Sequence, residues 1–233
     1  VYNKEDTTLN TIVDASENTI RKEAYQTAAH FIDSGCTYLD TDEGALPLEI
    51  FGDHNLSNLS GAKWICQLIG VEQDDFYEAI ANFKGAAKRL ERITSSRNRF
   101  LFKDFAHSPS KVKATIAAVR KQFETFRLIT CLELHTYSSL DDKFIYNYQD
   151  SLSLSDIPII FYDPKALRIK NRHPISENQI KEAFKDYRIK IFIKPKALED
   201  FLLIQDYDES VLLMMSSGNY GDLSWDNLME KFS

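Results

Sequence analysis

From Arg99 to Lys231 the chain alternates nearly unbroken apolar runs with amphipathic stretches, and this alternation constrains the fold more than any other feature. The apolar runs are "RFLFKDF", "RLITCLEL", "IPIIFY", "KIFI" and "SVLLMMSS". Between and after them the spacing predicts helices over Lys111–Phe126, Asp141–Leu152, Glu177–Tyr187, Pro195–Gln205 and Ser224–Lys231. Ser108-Pro109 supplies an N-cap and a first-turn proline for the first of these. Strand–helix alternation implies right-handed crossovers and a mostly parallel sheet. Apolar runs without polar alternation fit strands covered by helices on both faces. The expectation is a Rossmann-like α/β domain, whose ligands sit at the carboxyl ends of the strands. Polar residues gather there, at Asp104–Ser108, His135–Ser139, Asp163, Lys194 and Ser216–Gly221.

The preceding section has a different rhythm. "TYLDT" and "LPLEIF" flank the turn "DEGA" and predict a hairpin. Leu56, Leu59, Ala62, Ile65, Cys66 and Ile69 recur at three and four and predict a helix over His54–Ile69, closed by Gly70. A second helix is expected over Asp74–Phe83. This α+β section reads as the tail of something larger, with a boundary in "RITSSRNRF". The expected domains are residues 1–97 and 98–233. The chain opens on Val1 directly inside "VYNKEDTTLNTIV", which we read as the interior of a longer protein.

Composition narrows the function classes. Lys and Arg number 28 against 35 Asp and Glu, a net charge of −7 that argues against a nucleic-acid binder. The charge is uneven. Lys165–Lys196 carries ten Lys/Arg and three acids, whereas Leu198–Glu230 carries eight acids and no Lys/Arg. The basic stretch is read either as solvated surface or as attraction for a polyanionic substrate. No apolar run approaches the ~18 residues of a membrane span, and no charged-then-apolar leader opens the sequence. Three scattered cysteines, Cys36, Cys66 and Cys131, fit a reducing interior and make no metal-type spacing. The expectation is therefore a cytoplasmic chain with no membrane partner and no metal site of its own.

Several clusters carry potential chemistry. In "GDHNLSNLSGA", His54, Asn55 and Asn58 share the first turn of a helix, and asparagine matches the donor–acceptor edge of adenine. In "FKGAAKRLE", Lys88 and Arg89 follow a glycine turn and suit a phosphate or ribose. "DFAHSP" puts Asp104 and His107 at a strand's carboxyl end before a helix N-terminus, where the dipole favours anions. "ELHTYSS" pairs Glu133 and His135 with hydroxyls, and "SSGNYGD" offers small residues for close approach to backbone. Each has a purely structural alternative, as helix cap, surface pair or polar loop. The sequence has no G-x-x-x-x-G-K-[ST] loop, no G-x-G-x-x-G and no G-x-S-x-G elbow.

In this order, "GDHNLSNLSGA", "FKGAAKRLE" and "DFAHSPSKVKATIAAVR" resemble the motifs of the Mur ligase family, ATP-dependent amide-bond-forming enzymes of peptidoglycan assembly. The resemblance implies that residues 1–97 end a central ATPase domain and that 98–233 form the C-terminal Rossmann-like domain. It implies ATP-side contacts from His54, Asn55, Asn58, Arg89 and Asp104. Arg89, Asp104 and His107 would then lie at the reaction centre. His135, Ser138, Ser217 and Gly218 would line the amine-substrate pocket. The implied reaction phosphorylates a muramate carboxylate with ATP, and an amine then attacks the acyl phosphate. The implied Mg2+ would be held mainly by residues outside this chain. "LELHTYSSL" and "MMSSGNYGD" look most like the branch that joins UDP-N-acetylmuramate to the murein tripeptide L-alanyl-γ-D-glutamyl-meso-diaminopimelate in peptidoglycan recycling. The alternatives are the branch that adds L-alanine and a non-catalytic binding module of the same fold. This portion by itself is expected to be inactive.

Overall fold

The computed structural model describes residues 1–96, 98–165 and 175–232. The cations Arg168, Lys170 and Arg172 of the basic stretch lie outside the described residues. The chain forms two compact units, Val1–Gly85 and Ala86–Ser233.

In the first unit, β1 (Tyr2–Asn3) pairs in parallel with β2 (Ala24–Tyr25), and helix α1 (Thr7–Ala15) follows β1. Asp6 caps α1 by accepting from the Leu9 amide. The expected hairpin is present as β4 (Cys36–Thr41) and β5 (Gly44–Leu48). A further strand, β3 (His30–Asp33), extends it to a three-stranded antiparallel sheet. Its sequence, "HFID", is too short for the alternation to stand out. Helices α2 (Asp53–Leu68) and α3 (Gln73–Ala81) match expectation to within two residues at each end. Leu39, Leu48, Ile50, Leu56, Leu59 and Phe76 make the core of this unit.

The second unit is a six-stranded sheet in the order β10–β9–β8–β11–β7–β6. Its parallel members are β7 (Arg99–Asp104), β8 (Arg127–Glu133), β9 (Ile157–Phe161), β10 (Lys190–Phe192) and β11 (Ser210–Met215). All of β11, and all of β8 after Arg127, is buried, which is why these strands read as continuous apolar runs. The sixth strand, β6 (Glu91–Ser96), pairs antiparallel with β7 at the sheet edge, with a bulge between Arg92 and Thr94. The expected division at 97/98 set this strand apart from the sheet. Its polar sequence "ERITSS" suits an edge but lacks the apolar run of a central strand.

Helices α4 (Pro109–Gln122), α5 (Glu177–Phe184), α6 (Pro195–Leu203) and α7 (Trp225–Met229) fall where expected, each ending earlier than periodicity suggested. One expected helix is not formed. Over Asp141–Leu152 the chain makes a 3-10 turn at Phe144–Tyr148 followed by turns. Ile145, Tyr148 and Leu152 are buried, so the helical spacing was real, but it anchors a loop. The Asn147 amide donates to the Phe144 carbonyl and Asp150 takes a left-handed φ of 59°, both of which stop a helix.

Strand order fixes where a site can form. β11 lies between β7 and β8 in the sheet, so the loops after these three strands emerge side by side at one edge. Among the described residues no helix is long and apolar enough to cross a membrane.

Candidate functional site

Asp104 ends β7, and its carboxylate ties two motifs together. Oδ2 accepts the Leu90 amide and Oδ1 accepts the Ala106 amide, each at 2.6 Å. The Phe105 amide donates to the Lys88 carbonyl at 2.8 Å, and the Lys88 amide to Glu91 Oε2 at 2.7 Å. These bonds hold Lys88 and Leu90 at φ of 57° and 50°, the left-handed region that costs a side-chain-bearing residue about 1–2 kcal/mol. Arg89, between them, is exposed, with its guanidinium 5.7 Å from the Phe105 ring centroid. Asp104 was expected to meet the nucleotide. Only 6% of it is exposed, and both its oxygens serve backbone amides. In this structure it holds the backbone beside Arg89 at Leu90, and again at Ala106.

His107 completes this corner. Its ring packs edge-on to Phe105 at 5.1 Å, and Nδ1 lies 2.8 Å from the Phe105 carbonyl. A carbonyl only accepts, so Nδ1 carries the hydrogen and the neutral ring keeps its lone pair on Nε2. The His107 carbonyl accepts the hydroxyl of Tyr148, whose burial pushes the phenol far above its ordinary range. Ser108 caps α4 without a side-chain hydrogen bond, and Pro109 opens its first turn. Asp104 bonds the Ala106 amide, and Arg89 and His107 each approach the Phe105 ring, in the segment that leads into α4.

The loops after β8 and β11 form a second cluster. Glu133 is buried at the end of β8. Its Oε2 accepts the Ser216 hydroxyl and, at 3.0 Å, the Tyr220 amide. Its Oε1 lies 3.6 Å from His135 Nδ1. Gly218 donates its amide to Ser216 Oγ at 2.6 Å. A methyl group on Gly218 would lie 2.8 Å from Glu133 Oε2 and 2.9 Å from His135 Nδ1, so a larger residue would have to displace one of these side chains. Among the described residues the buried Ser217 hydroxyl has no hydrogen-bond partner. His135 and Gly218 are therefore brought together. Ser138 is exposed, and its hydroxyl pairs with Thr136 at 3.2 Å. The sequence marks Glu133 beside His135 and polar residues over Ser216–Gly221, but assigns no site role to Glu133, Ser216 or Tyr220.

The first unit carries the remaining candidates. Gly52, at φ 89°, turns the chain into α2 as its N-cap. The side-chain amide of Asn55 donates to the Phe51 carbonyl at 2.9 Å, tying the first turn of α2 back to the residue before Gly52. His54 and Asn58 are exposed one turn apart, while Leu56 and Leu59 point into the core. A cleft of about 410 Å³ in this unit is lined by Tyr25, Asp40, Lys63, Trp64 and Tyr77, and not by these three residues.

Among the described residues no three His, Cys, Asp or Glu side chains gather to hold a metal. With Asp104 committed to backbone amides, these residues do not fit a Mg2+ site. Several described cations of the basic stretch have partners. Arg188 pairs with Asp186, Lys196 with Asp200 at 2.8 Å, and Lys190 lies over the Phe201 ring.

No protein-family model matches the chain. A UDP-N-acetylmuramate–L-alanine ligase of Agathobacter rectalis is 27% identical over 183 residues, covering 78% of this chain and 39% of that protein. Among solved structures, a UDP-N-acetylmuramate–alanine ligase of Thermotoga maritima aligns with 91% of this chain and 46% of its own (TM-score 0.67, 16% identity). A murein peptide ligase of Psychrobacter arcticus aligns with 89% of this chain and 44% of its own (TM-score 0.55, 17% identity). A MurF ligase of Thermotoga maritima in complex with ADP aligns with 98% and 51% (TM-score 0.64, 14% identity). The chain thus spans about half of these structures and less than half of the curated relative. In sequence it is similar to the Mur ligases, and it shares their α/β fold with a mostly parallel six-stranded sheet.

Proposed function

We propose that this chain is the C-terminal portion of an ATP-dependent Mur-type ligase that couples UDP-N-acetylmuramate to an amine through an acyl phosphate. The observation that carries this reading is the Asp104 carboxylate bonded to the Leu90 amide, which joins the "FKGAAKRLE" and "DFAHSP" motifs into one corner. Residues up to Gly85 would end the central ATP-binding domain, with His54, Asn55 and Asn58 against adenine. Arg89, stacked on Phe105, would place a cation on the nucleotide phosphates or ribose. His107, with its hydrogen on Nδ1, would offer Nε2 beside the reacting groups. His135, Ser217 and Gly218 would line the amine pocket, with Ser138 at its exposed rim. The Mg2+ that the resemblance implies enters no step drawn from this chain. None of the described residues is assigned to it.

For the amine, our reading is the murein tripeptide, from the likeness of the loops after β8 and β11 to the recycling branch. The second reading, L-alanine, is favoured by the name of the Agathobacter relative. The chain alone is proposed to be inactive, since it contains no phosphate loop.

The test is phosphate release from ATP with UDP-N-acetylmuramate, using protein extended upstream of Val1 and either tripeptide or L-alanine. The expected result is release that requires both carboxylate and amine, with tripeptide preferred and its amide product found by mass. Preference for L-alanine would move the assignment to the second reading. Release stimulated by neither amine would reject the ligase.

A further inference from the structure

Helix α2 carries two opposite flanks without charge. Leu56, Leu59 and Cys66 turn inward and pack with Leu39 and Leu48 of the three-stranded sheet. Ser57, Gly61, Trp64, Ile65 and Leu68, with Ile69 as the C-cap, recur at three and four along the other side. A helix that is apolar on both sides belongs in an interior. The strand pair β1–β2 covers only the first half of this outer flank. Asn3 Nδ2 donates to Ser57 Oγ at 3.1 Å, and a methyl group on Gly61 would meet the Tyr25 ring at 3.0 Å. Beyond Gly61 the flank is bare: Trp64 is 36% exposed, Ile65 54%, Leu68 45% and Ile69 75%. The cleft lined by Tyr25 and Trp64 marks the step from the covered half to the bare one.

We infer that the outer flank of α2, from Trp64 to Ile69, is the docking surface for the polypeptide that precedes Val1 in the full-length ligase, seated as further strands beside β1–β2. The covering strands are themselves incomplete. β1 and β2 pair in parallel over two residues each, and among the described residues neither has a second neighbour. Parallel strands occur in sheets covered on both faces, and a pair this short buries too little to stand alone. Their open edges are templates for added strands, and such strands would run on over the bare half of α2. Removing four large apolar side chains from water supplies the driving force. The length needed is present in the relatives, since the chain covers 39% of the Agathobacter ligase and 46% of the Thermotoga alanine ligase. The inference rests on the reading of this chain as the C-terminal portion of such a ligase, and adds to it the surface on which the rest of the protein sits.

The experiment is hydroxyl-radical footprinting, read residue by residue by mass spectrometry, on the 233-residue chain and on protein extended upstream of Val1. A free reporter peptide equalises the radical dose. In the 233-residue chain Trp64, Ile65, Leu68 and Ile69 should react, while Leu56 and Leu59 on the inner flank of the same helix stay shielded. In the extended protein the four outer side chains should lose most of that reactivity. Leu68→Asp should leave the urea midpoint of the 233-residue chain in place and lower that of the extended protein. Outer side chains that react as fast in the extended protein as in the shorter one overturn the proposal. So does shielding in the shorter chain that is lost on dilution together with a dimer's mass, which would make the occupant a second copy. Footprinting needs no variant, so a misfolded Leu68→Asp protein does not protect the idea. No nucleotide is used. An extended protein that releases phosphate yet leaves the flank reactive would remove this surface and spare the ligase reading. One that shields the flank and releases no phosphate would do the reverse.

Discussion

Replacing Asp104 with asparagine isolates the Asp104 corner with almost no change in volume. The carboxylate accepts two backbone amides at 2.6 Å. Asparagine keeps one carbonyl oxygen and turns an NH2 group towards the other amide. One charge-assisted bond worth about 1.5–3 kcal/mol is lost, and a donor then faces a donor in a buried place. The left-handed residues Lys88 and Leu90 relax in part, returning about 1 kcal/mol of backbone strain. The net loss is about 2 kcal/mol. At a urea m-value of about 2 kcal/mol per M, the midpoint of the second unit should fall by about 1 M. Trp225 reports on that unit, and a Trp64→Phe background removes the signal of the first. Hydrogen exchange reads the same loss locally. The Leu90 amide should exchange about thirtyfold faster, since each 1.4 kcal/mol is tenfold. A midpoint within 0.2 M of wild type, taken as roughly the error of such fits, together with unchanged Leu90 protection, would refute the reasoning.

Other outcomes follow from single contacts. Gly218→Ala places a methyl 2.8 Å from Glu133 Oε2 and should destabilise the second unit by about 1–3 kcal/mol, read from its urea midpoint. An unshifted midpoint would mean the close approach is absent. Cys131 is fully buried, and burial pushes its thiol up, whereas Cys36 and Cys66 are partly exposed. A thiol reagent should therefore modify two cysteines in the native chain and the third only on unfolding. Rapid labelling of all three would contradict the packing of β8. Asn58→Ala alters an exposed side chain and should change stability by less than about 0.5 kcal/mol. In protein extended upstream it should raise the KM for ATP and leave that for the amine unchanged. An unaltered ATP KM would remove Asn58 from the adenine site.

Much of the second unit could be read from the chain because buried parallel strands leave a local mark. β8 and β11 are continuous apolar runs, and each is enclosed on both faces. Edge and loop elements left weaker marks. β6 is polar because one side of it faces no further strand, so it resembled a linker. The Asp141–Leu152 segment had helical spacing because Ile145, Tyr148 and Leu152 reach the core from a chain of turns. Periodicity records which side chains are buried, and not which backbone path buries them.

The candidate sites divide in the same way. Motif order marked Arg89, Asp104 and His107 as candidates, and their contacts were not legible. That Asp104 serves two backbone amides depends on the return of the Lys88–Leu90 corner onto the end of β7. Ser138 looked equivalent to His135 in the loop but turns its hydroxyl to Thr136.

The amino-acid order by itself determined the α/β class, the strand ends at which polar residues collect, and the motifs resembling a ligase. These are encoded over a few residues, by burial pattern and turn chemistry. Only the tertiary structure decided that β11 enters between β7 and β8. That insertion brings Ser216 onto Glu133, 83 residues away, and makes a buried acid the meeting point of the loops after β8 and β11. Strand order is set by how whole faces pack together, a balance over the entire sheet that no short stretch of sequence carries.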